Sequence, residues 1–213
     1  NVDGVFSYSA TTEGRYRFYT IATNRAENTE AGPDNGYDTE TIFSSKFAGY
    51  SILAVGSLDS DPDGLKAHTL TANNVYTHLI NRNFAVVSDS TAKWDDPLDH
   101  IKYFNPYAIT QRGEDDYTEG GVEDYKTALQ KAISQWALDK MKIFPGPLHI
   151  TLLDHGTHDE FWLNGTESVT ATELNDWLTV LENGLSDAGI NQPIVITLGT
   201  CYSGSFVDDL SKE

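Results

Sequence analysis

The chain has one cysteine, Cys201, in 213 residues, which excludes an internal disulfide framework and any multi-cysteine metal site. Basic residues are scarce: 14 lysines and arginines against 32 aspartates and glutamates leave a net charge of −18. A field of that sign repels nucleic acid and anionic membrane, so neither is an expected partner. Its plain consequence is solubility, with some attraction for basic substrates. No apolar run approaches the roughly 18 residues of a membrane span. Position 1 is asparagine rather than methionine, which reads as a processed or excised piece and favours a secreted or periplasmic setting. What is present suits a folded domain: 39% hydrophobic and 11% aromatic residues argue against disorder. The length allows one sizeable core and a small appendage.

Residues 1–47 stand apart. GVFSYSA, TTEG and RYRFYTIAT read as a β-hairpin whose alternation sets Tyr16, Phe18 and Thr20 on one side. The polar stretch NRAENTEAGPDNGYDTET follows, rich in turn formers. This segment is expected to be a hairpin and linker edging the main sheet. Over residues 48–213 strands and helices alternate, the pattern of a mainly parallel sheet with helices on both faces. GYSILAVGS and FAVVSD read as strands. Between them LTANNVYTHLINRN reads as an amphipathic helix with Leu70, Val75, Leu79 and Ile80 turned inward. Ser90 to about Gly121 reads as a long polar loop, followed by a helix carrying Val122, Tyr125, Leu129, Ile133 and Trp136. After a strand and the insertion THDEFWLNGTESV, Thr170 and Glu173 form a capping box. Leu174, Trp177, Leu178, Leu181 and Leu185 then repeat at helical spacing.

The chemistry gathers at two strand ends. In PLHITLLDHG an apolar run ends in Asp154-His155-Gly156; in PIVITLGTCYSGSF a second ends in Gly199-Thr200-Cys201. If the strands are parallel neighbours, a group that titrates near neutrality and a natural nucleophile share one sheet edge. A cysteine between a strand and a helix start gains from the helix dipole, and Gly199, Ser203 and Gly204 allow a tight turn. Gly156 admits close substrate approach and offers its backbone N–H to an oxyanion. Chain order narrows the class. No histidine follows Cys201, unlike α/β-hydrolases, where the histidine comes last. His155 instead precedes the cysteine by roughly the fifty-residue interval of caspases.

The segments LLDHGTHDEFWLNGTESVTATELNDWL, VITLGTCYSGSF and, more loosely, YSILAVGSLDSDPDGLKAHTLTANNVYTHL resemble the caspase-like cysteine peptidases of clan CD. The resemblance is closest to legumain-type bacterial domains of large exported proteins, and it covers about residues 48–210. It implies a caspase-like three-layer α/β sandwich and a cysteine endopeptidase acting on polypeptide substrate without a cofactor. By the same resemblance Cys201 attacks the scissile carbonyl, His155 protonates the leaving amine, and the N–H groups of Gly156 and Cys201 hold the oxyanion. Relatives often carry an acidic residue where this chain has Gly199, so no preference for a basic residue before the scissile bond is implied. The family's sheet usually has six strands, whereas four are visible here. An incomplete sheet leaves an edge for the hairpin, a C-terminal fragment or a second copy of the chain to cover.

Other features read as surface. Asp59, Asp61, Asp63 and Gly64 imitate the start of an EF-hand loop, but the twelfth position is Leu70, so a solvated acidic turn is expected before a calcium site. Glu114, Asp115, Asp116, Glu119, Glu123 and Asp124 form a solvated acidic run. Asn164-Gly165-Thr166 fits a glycosylation sequon and reads as a turn. His158 is assigned to the surface, and Asp154 is expected to point away from His155 without a catalytic role. The rival to a peptidase is a non-catalytic caspase-like binding or adhesion domain, stabilised by calcium.

Overall fold

The computed structural model describes residues 8–9, 14–21, 29, 31–33, 36, 39–43, 47–58, 62–82, 84, 100–105, 115–117 and 124–211. The chain divides into two compact units, residues 1–46 and 47–213. In the first, strand β1 (Gly14–Phe18) pairs antiparallel with β2 (Thr39–Phe43), from Gly14 opposite Phe43 to Phe18 opposite Thr39. Among the described residues RYRF thus pairs with TETIF, which begins inside the stretch expected to be turns. Of GVFSYSA only Tyr8 and Ser9 are described, and the Tyr8 ring meets Tyr16 at 5.4 Å and Phe18 at 5.8 Å. Those two aromatics do share a face.

The second unit is built on a five-stranded sheet. Its strands are β3 (Tyr50–Val55), β4 (Ile101–Phe104), β5 (Asp115–Tyr117), β6 (Leu148–Leu153) and β10 (Ile194–Gly199), in the order β10-β6-β3-β4-β5. Every neighbouring pair is parallel. β3 is buried along its whole length, as a central parallel strand covered on both faces must be. Its even residues, Tyr50, Ile52 and Ala54, join Leu148, Ile150 and Leu152 beneath α2 (Tyr125–Lys131), α3 (Ala137–Ile143) and α4 (Ala171–Asp187). Its odd residues, Leu53 and Val55, face Ala72 of α1 (Pro62–Asn81) together with Phe84, Ile101 and Tyr103. The result is a mixed α/β fold with helices on both faces of a parallel sheet. β10 forms one edge, with Val195, Thr197 and Gly199 exposed on the face opposite α4. No described helix is long and apolar enough to cross a membrane.

Three expectations change. α1 starts at Pro62, eight residues ahead of Leu70, and Leu70 is 63% exposed on it, while Val75, Leu79 and Ile80 do pack on the core. Proline suits a first helical turn, where its missing N–H is not needed. The long loop expected after Ser90 contains β4 and β5. β4 was hidden because IKYF carries a lysine, yet all four residues are buried; the Lys102 ammonium lies 5.7 Å from the Trp136 ring. Of FAVVSD only Phe84 is described, buried against α1. Between α2 and α3 the helix passes through a π-helical turn, Ala132–Trp136, that keeps Ile133 buried. α4 follows its sequence pattern closely. Thr170 caps Glu173 N, Glu173 answers to Thr170 N at 3.0 Å, and Leu174, Trp177, Leu178, Leu181 and Leu185 are buried.

Candidate active site

β6 and β10 run side by side, from Leu148 opposite Ile194 to Leu153 opposite Gly199. The residues just beyond them therefore emerge together at the carboxyl end of the sheet, where open α/β folds build their sites. Asp154 N donates to Gly199 O at 3.3 Å, extending the ladder by one step. The chain then turns into a small antiparallel sheet of β7 (Gly156–Thr157), β8 (Glu160–Trp162) and β9 (Ser168–Thr170), which is what the expected insertion forms. Asn164 closes its second turn by accepting from Thr166 N and Glu167 N, both at 2.8 Å.

Gly156 is where the two loops touch. A Cβ there would collide with Thr200 Oγ1 and stand 2.6 Å from Glu160 O and 3.2 Å from Cys201 O. Only glycine permits that approach. A second tie follows: Asp159 N donates to Ser205 Oγ at 2.7 Å, and Ser205 Oγ donates to Tyr202 O at 2.8 Å. Trp162 N donates to His155 O at 3.1 Å. Gly156 opposite Phe161 is therefore a non-hydrogen-bonded pair of the ladder, and the Gly156 N–H is directed away from β8.

Cys201 is exposed on the turn that leaves β10. Tyr202, next in the chain, holds left-handed backbone with φ 56° and is 66% exposed. Such a conformation costs a non-glycine residue about 1 kcal/mol or more. The helix expected after the cysteine is a 3₁₀ turn, Ser203–Phe206, followed by α5 (Val207–Leu210). Two pieces this short add little dipole, so the loop is held instead by Phe206, buried in the core.

Asp154 overturns its expectation. Strand alternation ends at Leu153, and the bend that follows returns the carboxylate beneath its neighbour. Asp154 Oδ1 accepts from His155 N at 2.6 Å and lies 3.9 Å from His155 Nε2, too far for a hydrogen bond but close for charges. The same oxygen is 3.2 Å from Nδ1 of His68, on α1. The two imidazoles stand edge to face, 5.3 Å apart. The Asp154 side chain is 2% exposed against 38% for His155. Burial pushes its carboxyl above the usual carboxylate range, while the His155 N–H and the two imidazoles pull part of the way back. Its Oδ2 is buried without a hydrogen-bond partner, against Gly56. His68 gave no signal in the sequence, being one histidine on a mixed helix; only the fold sets it opposite the end of β6.

The remaining candidates lie elsewhere. His158 is exposed at the β7–β8 turn, beside Asp159 at 2.7 Å. Asp63 is exposed in the first turn of α1, where a carboxylate favours the helix dipole. Asp59 and Asp61 lie outside the described residues. Neither a family model nor a curated protein matches this chain. The site combines an exposed cysteine, a half-exposed imidazole with a carboxyl group behind it, and a glycine N–H directed away from β8.

Proposed function

We propose that the protein is a cysteine endopeptidase with a caspase-like, legumain-type domain over residues 48–213, using Cys201 as nucleophile and His155 as general acid and base. One observation supports this above the others. The parallel pairing of β6 with β10 packs Gly156 against Thr200 and Cys201, so that the two strand ends form one edge.

On this reading the Cys201 thiolate attacks the scissile carbonyl carbon, and the oxyanion settles between the N–H groups of Gly156 and Cys201. The C–N bond breaks as His155 gives a proton to the departing amine, leaving a thioester on Cys201. Water then attacks the thioester, His155 accepts the water's proton, and the acid and thiol separate. Asp154 Oδ1 stands 3.9 Å from Nε2 of His155, so its carboxyl lies beside the imidazole that moves the proton on this reading. Asp154 acts as a positioning residue, since its Oδ1 holds the His155 backbone by a 2.6 Å hydrogen bond.

The test is a peptide library varied at the residue before the scissile bond, digested by the protein and by Cys201→Ala. The substitution is expected to lower turnover by roughly 10³-fold or more. Cleavage that survives it would overturn the assignment.

A further inference from the structure

We infer that His68, Asp154 and His155 form a site for a divalent transition metal of the zinc class, and that an ion bound there switches the peptidase off. The inference rests on the proposed function for its consequence and on geometry alone for the site. One atom from each residue, two imidazole nitrogens and a carboxylate oxygen, lies within 4.8 Å of the others. Two histidines and one carboxylate are a donor set suited to zinc, cobalt, nickel or ferrous iron rather than to calcium or magnesium.

Two atoms of the cluster are short of partners. His68 Nδ1 is buried and makes no aligned hydrogen bond, although Asp154 Oδ1 is 3.2 Å away. Asp154, with its side chain 2% exposed, leaves Oδ2 unpaired. A buried carboxylate short of partners is costly, and a dication at Oδ1 compensates it directly. Bonds of about 2.0–2.2 Å set neighbouring donors about 3.4 Å apart; the His68–Asp154 pair already stands at 3.2 Å and the His155–Asp154 pair at 3.9 Å, so it is chiefly the His155 donor that has to move. The histidine side chains are 27% and 38% exposed, so water can reach the cluster. Once Nε2 of His155 ligates the ion, the imidazole is fixed and carries the metal's charge, so it no longer exchanges protons with substrate.

Binding and inhibition are read separately. Zn²⁺ is titrated calorimetrically into the full chain carrying Cys201→Ala, which has no thiol to compete and no activity to lose. Expected is one equivalent per chain, weakened at least tenfold by adding His68→Ala or His68→Gln, with Co²⁺ giving a visible d–d spectrum that those changes erase. Absence of saturable binding, or binding indifferent to His68, overturns the site, whatever the peptidase assay gives. In the Cys201 protein, cleavage inhibited by Zn²⁺ and released from inhibition by His68→Ala completes the proposal. Zn²⁺ inhibition that His68→Ala leaves unchanged overturns the switch.

Discussion

At the amino end of the sheet His100 is packed edge-on against Phe47 at 4.8 Å and Tyr50 at 5.1 Å, and it is 8% exposed. At the carboxyl end His155 is 38% exposed and has the Asp154 carboxylate 3.9 Å from its ring. Burial, reinforced by Lys140, lowers the His100 pKa to about 4 despite the Phe84 backbone carbonyl acting the other way. The first imidazole is a neutral piece of core. The second is half-exposed beside a carboxyl group. One sheet thus holds the same residue type as filler at one end and, on the proposed function, as a reactive group at the other, and the difference lies in the neighbours.

The largest effect should separate the two ends outright. His155→Ala is expected to lower kcat/KM by about 10²–10⁴-fold, the usual share of a general acid, with little change in melting temperature. A melting loss as large as a core substitution gives would break the contrast. At the other end the readout is stability against pH. His100 has a folded pKa of about 4 against an ordinary 6.5, so its contribution is complete above the ordinary value and is lost as pH falls from there toward the folded one. The loss is up to about 3 kcal/mol in denaturant midpoints, and His100→Phe should flatten it. Asp154 has the opposite sign: its folded carboxyl is raised by burial, so stability falls as pH climbs out of the ordinary carboxylate range. Asp154→Asn should remove that slope.

A smaller change tests whether the reactive end depends on the meeting of its loops. Gly156→Ala keeps His155 and Cys201 but drives a methyl toward Glu160 O and Cys201 O. A stability loss of about 2 kcal/mol is expected, with a fall in kcat at nearly unchanged secondary structure by circular dichroism. The smallest is a control at the same end. Thr170→Ala removes the α4 cap and should cost about 1 kcal/mol while leaving turnover unchanged.

The elements legible in the sequence are those where local pattern and tertiary need agree. β3 is an apolar run because a central parallel strand with covered faces requires one, and β6 and β10 carry similar runs beside it. α4 announces itself by cap and stripe together. β4 and β5 escape the pattern because both are short, β4 being interrupted by Lys102 and β5 carrying two aspartates. Lys102 in β4 is buried, with its ammonium 5.7 Å from the ring of Trp136, which another element contributes. The meeting of the two strand ends that carry His155 and Cys201 was readable because both close an apolar run. The Asp154–His68 contact was not, since nothing local tells a bend after Leu153 to fold a carboxylate back, and α1 is brought to it only by the fold.

Tyr202 adds one consequence. Its left-handed backbone, directly after Cys201, is a wound spring that glycine would leave slack. Tyr202→Gly therefore relieves the strain on the unit that follows Cys201 while loosening the turn that carries it.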